Sequence, residues 1–172
     1  MSDTVLTLSL AGFPPLGLPR VEQELRPIAQ HATRRTVNGA LQDSGWSGWQ
    51  KFETVITCEL PLPPALGGIW PGMAVTVGCV LPLCEQLSGA TSKTLAKTPV
   101  AGSVYAVDGL GNPIAVVSLS GKLLTLASFS GTASITYRPS LSMRVVDLRL
   151  TTKEAPRGSR NAGGWRLELS EI

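Results

Sequence analysis

Residues 141–152 read LSMRVVDLRLTT and residues 164–172 read GWRLELSEI, and these two stretches decide the fold class. In the second, Trp165, Leu167 and Leu169 alternate with Arg166, Glu168 and Ser170, the two-residue period of a strand with one buried face. In the first, Met143 and Val145 occupy one phase while Leu148 and Leu150 occupy the other. That phase change, near Val146 and Asp147, predicts a β-bulge that curves a long strand as barrel closure requires. Between them, residues 153–163 carry Lys153, Arg157 and Arg160 among Gly, Ser and Pro and read as a flexible loop.

The rest of the chain agrees with this class. Leu6, Leu8 and Leu10 alternate with Val5, Thr7 and Ser9, predicting a half-buried strand over residues 4–10. Five Gly and Pro residues between Gly12 and Pro19 permit neither helix nor ladder, so residues 12–32 read as an extended arm. Its latter part, VEQELRPIAQHA, invites a helix, but Pro27 would break one, leaving a short turn or a strand along a neighbour. Residues 34–60 read as a long hairpin around a loop of Gly, Ser and Asp. Its second arm sets Phe52, Ile56, Cys58 and Leu60 on one side. Trp46 and Trp49 stand at its loop end, either as contact residues or folded back over a barrel mouth.

Trp70-Pro71-Gly72 reads as a turn launching the run MAVTVGCVL, residues 73–81, whose continuous apolarity predicts burial on both faces. Residues 86–102 lack periodicity and read as a flexible loop. Short strands then follow over 103–107, 113–118, 122–127 and 132–138, separated by turns at 108–112 and 120–121. The expected architecture is a single all-β domain over residues 1–172: a small antiparallel β-barrel or sandwich with a long hairpin, an extended arm and little helix.

Composition supports the same class. Eighteen glycines, thirteen prolines, sixteen serines and fifteen threonines stand beside only 16% charged residues, a balance poor in helix formers. The formal charge of +3 supports no claim of nucleic-acid binding. Arg34-Arg35 is the only adjacent basic pair and reads more readily as a solvated strand edge than as a phosphate site. Cys58, Cys79 and Cys84 form no Cys-x-x-Cys pair, and their odd number suits a reducing compartment. The N-terminus lacks the basic region of a signal peptide, and the apolar runs are too short, or interrupted by Lys122, to span a bilayer as helices.

Reaction chemistry is hard to find. His31 is the only histidine, which excludes multi-His metal sites, and no serine occupies a Gly-x-Ser-x-Gly elbow. Gly109-Leu110-Gly111 lacks the third glycine and following helix of a phosphate loop. Acidic residues are scattered singly. No enzyme, cofactor or metal is expected. An OB-like barrel that binds oligosaccharide or nucleic acid is the alternative, because Tyr137-Arg138 and Trp165-Arg166 place aromatic beside basic residues, although strand alternation explains both pairs equally well.

Three stretches carry a resemblance: LRPIAQHATRRTVNGALQDSGWSGWQKFETVITCEL (residues 25–60), PPALGGIWPGMAVTVGCV (63–80), and ITYRPSLSMRVVDLRLTTKE (135–154) running on to GWRLELSEI. Together they resemble minor and distal tail proteins of tailed bacteriophages. The resemblance implies a virion structural protein, tail-tube-like in fold, that assembles in the host cytoplasm into a ring, commonly a hexamer, and meets other tail proteins. DNA would only pass through its channel, and no membrane would be involved. Under the resemblance the hairpin reaches an adjacent subunit or ring, the arm drapes over a neighbour, and the interface candidates are Arg34, Arg35, Trp46, Trp49 and Trp70.

Overall fold

The computed structural model describes residues 6–9, 21–28, 33–43, 50–59, 68–153 and 162–172. Among them the chain forms sixteen strands and no helix. The first eight are β1 (Thr7–Leu8), β2 (Val21–Pro27), β3 (Thr33–Arg35), β4 (Leu41–Asp43), β5 (Phe52–Cys58), β6 (Ala74–Gly78), β7 (Leu83–Ser88) and β8 (Ser92–Thr94). The second eight are β9 (Thr98–Pro99), β10 (Tyr105–Asp108), β11 (Pro113–Ile114), β12 (Val116–Ser120), β13 (Leu123–Leu126), β14 (Thr132–Tyr137), β15 (Pro139–Lys153) and β16 (Ala162–Glu171). Every pairing is antiparallel, so the all-β class expected from the sequence is what forms.

The two C-terminal stretches become the centre of the largest sheet, ordered β1-β6-β15-β16-β5-β2, with β9 joining β15 beyond the end of β16. The register of β15 on β16 shifts between Val145 and Asp147, placing the bulge where the change of phase predicts it. Before it Leu141, Met143 and Val145 are buried; beyond it Leu148 packs onto the same core opposite Leu167. The bulge therefore keeps β15 facing the core from Leu141 to Leu148, beyond which Leu150 is exposed. Trp165, Leu167 and Leu169 of β16 join Ile56 and Cys58 of β5, Val75 and Val77 of β6, and Leu6 and Leu8 in that core. Each buried Leu or Ile of this kind contributes about 1.5–3 kcal/mol.

The sheet curls. Gln23 on the outer strand β2 accepts a hydrogen bond from the Val80 N–H, just past β6 on the far side of the sheet, at 2.8 Å. The same amide donates to Thr54 Oγ1 of the adjacent β5 at 3.1 Å, so one side chain ties β5 to the chain just past β6. The outer face stays charged and solvated, with Arg26–Glu53 at 2.5 Å and Arg166–Glu168 at 2.8 Å, pairs that contribute little to stability.

Three segments differ from the sequence expectation. Residues 73–81 are buried on one face only: Val75, Val77 and Cys79 point inward, while Met73, Val80 and Leu81 are exposed, because the sheet has a packed and an open side. Residues 21–27 of the expected arm form β2 within the chain's own sheet, Pro27 being tolerated at the end of an outer strand. The rest of that arm, residues 12–20 and 29–32, is outside the described residues. The 86–102 segment is not a loop: it holds the end of β7 together with β8 and β9. Its alternation was too short to see, since β8 and β9 span only three and two residues.

Residues 83–137 build a second core between β6 and β15. The sheet β11-β10-β14-β7 and the sheet β12-β13-β8 enclose Leu87, Leu95, Ala106, Leu124, Leu126, Ala133, Ile135 and Tyr137. The chain leaves β6 and re-enters β15 side by side, with the Cys79 N–H donating to Pro139 O at 2.9 Å. This region is thus an insertion into what is otherwise a β6–β15 hairpin.

Candidate functional site

The 34–60 region divides differently from the sequence reading. Rather than pairing with β5, β3 pairs with β4 through a tight loop, and β5 lies between β2 and β16. The Gly39 N–H donates to Thr36 O at 2.8 Å and the Thr36 N–H to Ala40 O at 2.9 Å, with Gly39 at φ 76. This is a type I turn closed by a left-handed glycine, and the Asn38-Gly39 pair was the overlooked signal for it. Arg35 Nη1 donates to Gly39 O at 3.1 Å, stiffening the loop. Residues 34–42 are all exposed, and Val37 at the tip is wholly so. The hairpin strands join neither large sheet.

Arg34 and Arg35 therefore sit on a small projecting hairpin. Trp46 and Trp49 lie outside the described residues, as does His31. Trp70 is 69% exposed, whereas its neighbour Ile69 is 1% exposed and part of the first core. Trp70 O accepts from the Met73 N–H at 3.1 Å, with Pro71 second and Gly72 third at φ 93, the residues and geometry of a type II turn. The Gly72 N–H in turn donates to Val145 O at 2.7 Å, fixing the turn to β15. The turn expected at Trp70-Pro71-Gly72 forms, and it holds the indole outward.

The aromatic-basic pairs are not stacking platforms. Tyr137 is fully buried and Trp165 is 4% exposed, both as core members of alternating strands. No group of three or more His, Cys, Asp or Glu side chains able to hold a metal occurs among the described residues.

One polar cluster escaped the sequence reading because its members are far apart in the chain. Tyr137 Oη donates to Glu85 Oε1 at 2.6 Å, the Ala96 N–H donates to that same oxygen at 2.9 Å, and Lys93 Nζ lies 3.0 Å from Glu85 Oε2. Burial alone would raise the Glu85 pKa, but the hydrogen bonds from Tyr137, Ala96 and Lys93 outweigh it and hold the carboxyl below its ordinary value. Burial, with the adjoining Glu85, pushes the Tyr137 phenol up. Next to it Lys97 Nζ reaches Glu171 Oε1 at 2.5 Å and Gln50 O at 2.8 Å, over the Phe52 ring at 5.4 Å. The Phe52 N–H donates to Glu171 Oε2 at 2.9 Å. The cluster thereby straps the inserted region to β5 and β16.

Among the described residues, the projecting hairpin and the Trp70 turn are exposed to other molecules. No protein-family model matches the chain, and no curated protein is found to be similar to it.

Proposed function

We propose that this chain is a structural subunit of a bacteriophage tail, a tube-like or distal ring component that joins copies of itself through β contacts and meets other tail proteins. Beside the sequence resemblance, the observation that carries this reading is the β3–β4 hairpin. A two-stranded hairpin alone is marginally stable in water and needs a third strand or a packing surface. Here its residues 34–42 are exposed and Val37 projects at its tip, so the chain's own described residues supply no such surface. A neighbouring subunit would supply it, in a heterologous contact that closes into a ring. Trp70, held outward by its turn, is a second anchor of the kind enriched in interfaces.

The test compares the full chain with a variant in which residues 34–42 are replaced by a short Gly-Ser linker, using mass photometry. The parent forms closed rings and the variant, with an unchanged circular dichroism spectrum, remains smaller. Undiminished rings in the variant would refute the role of the hairpin, and a parent that stays monomeric would refute the function.

A further inference from the structure

Three asparagines occur in the chain, and the residues after them set them apart: Asn38 precedes glycine, Asn112 proline and Asn161 alanine. The side-chain carbonyl of an asparagine is open to attack by the backbone nitrogen that follows it. Asn112 is barred from this, because Pro113 has no N–H to lose and the Asn112 amide donates to Asp108 Oδ2 at 2.9 Å. Ala162 places a Cβ in the way of Asn161. Gly39 offers no such obstacle, and the space around it is open, since a Cβ built there would meet nothing within 4 Å.

Whether the attack occurs depends on the hairpin. Asn38 is the third residue of the turn that begins at Thr36, a position where ψ is about 0°. Ring closure needs the Asn38 Cβ and the Gly39 nitrogen eclipsed about the Cα–C bond, and that ψ holds them roughly a third of a turn apart. The proton that must leave the Gly39 nitrogen is held by Thr36 O at 2.8 Å. Thr36 also donates to Ala40 O through its N–H at 2.9 Å and its Oγ1 at 3.2 Å, closing the loop from the other side. A closed turn therefore spares Asn38. Yet β3 and β4 hold three residues each and belong to neither core, and a lone hairpin is marginal in water. Such a unit opens locally while the rest of the fold stays intact.

We propose that Asn38 is a self-modification site gated by the β3–β4 hairpin, converting to aspartate and isoaspartate when the turn opens. In the open turn the Gly39 nitrogen loses its proton to hydroxide and bonds to Asn38 Cγ. The Cγ–Nδ2 bond breaks, and the amide leaves as ammonia with a proton from water. Water then opens the resulting succinimide. Cleavage at the side-chain carbonyl gives aspartate and cleavage at the main-chain carbonyl gives isoaspartate, with nothing oxidised or reduced. Either product adds a carboxylate to the loop that carries Arg34 and Arg35, and isoaspartate also lengthens the backbone by a methylene, so the turn no longer closes on Thr36 O. The reaction retires the hairpin while both cores stay folded. This inference goes beyond the ring reading and does not depend on it.

The test incubates the full chain in mildly alkaline buffer, folded and in guanidinium chloride, beside folded Thr36→Pro. That substitution removes the N–H donated to Ala40 O, leaves the Asn38-Gly39 pair in place and touches neither core. Peptide mass spectrometry reads conversion at residue 38, with electron-transfer fragmentation separating isoaspartate from aspartate, and circular dichroism confirms that the variant's strands persist. The folded parent is expected to convert measurably but at least tenfold more slowly than the denatured chain, with Thr36→Pro approaching the denatured rate and Asn112 unchanged throughout. Equal rates in folded and denatured parent would overturn the gating, whatever the variant does. No conversion at residue 38 in denaturant would overturn the site, no conversion in the folded parent would overturn local opening, and a folded variant as slow as the parent would overturn the role of the turn.

Discussion

Cys84 is exposed while Cys58 and Cys79 are buried, and their reactivity follows from that. Burial, opposed in part by a hydrogen bond with Gln23, pushes the Cys79 thiol up to about 11, so almost no thiolate exists there at neutral pH. Native protein treated with a thiol reagent is expected to label rapidly at Cys84 alone, with Cys58 and Cys79 following only in denaturant; rapid labelling of all three would contradict the described core. Glu85 makes a pH prediction. Its carboxyl is held below the ordinary value, so the stability it contributes is present at neutral pH and disappears as pH falls through the lowered native value. Urea unfolding of Glu85→Gln should show a smaller loss between neutral and acidic pH than the parent. A parallel loss in both proteins would place the acid sensitivity elsewhere.

At the scale of the element, the strap formed by residues 92–99 rests on Lys97, whose ammonium lies 2.5 Å from Glu171 and 2.8 Å from Gln50 O. Lys97→Met removes charge-assisted hydrogen bonds of about 1.5–3 kcal/mol each. Amide exchange should accelerate in residues 92–99 while Ile56, Leu167 and their neighbours in the first core stay protected; a uniform change throughout would mean that the strap is not a separate unit. Such a strap was illegible in the sequence, since Glu85, Lys97, Tyr137 and Glu171 are brought together only by long-range pairing. Strands with clean alternation were legible: β16, β5 and the two phases of β15 could be read from Trp165, Ile56 and Met143 onward. Their bulge was legible too, because one extra residue reverses the face of every side chain after it. The extent of the hairpin is not legible from the longer Gly, Ser and Asp loop, because the chain turns at Asn38-Gly39 and pairs β3 with β4. Of the candidate interface, the exposed Trp70 is legible through its Pro71-Gly72 turn.

For the whole molecule, a curled sheet with a charged outer face bears an inserted second core, and the exposed β3–β4 hairpin has no packing surface among the described residues. Low charge, many glycines and prolines, and exposed aliphatic residues such as Val37, Leu110 and Val117 accord with a subunit completed by its neighbours. The most direct test of that account is negative-stain electron microscopy of the purified full chain at micromolar concentration. Closed rings of uniform copy number are expected; a persistent field of single subunits that binds oligosaccharide or oligonucleotide refutes the ring reading.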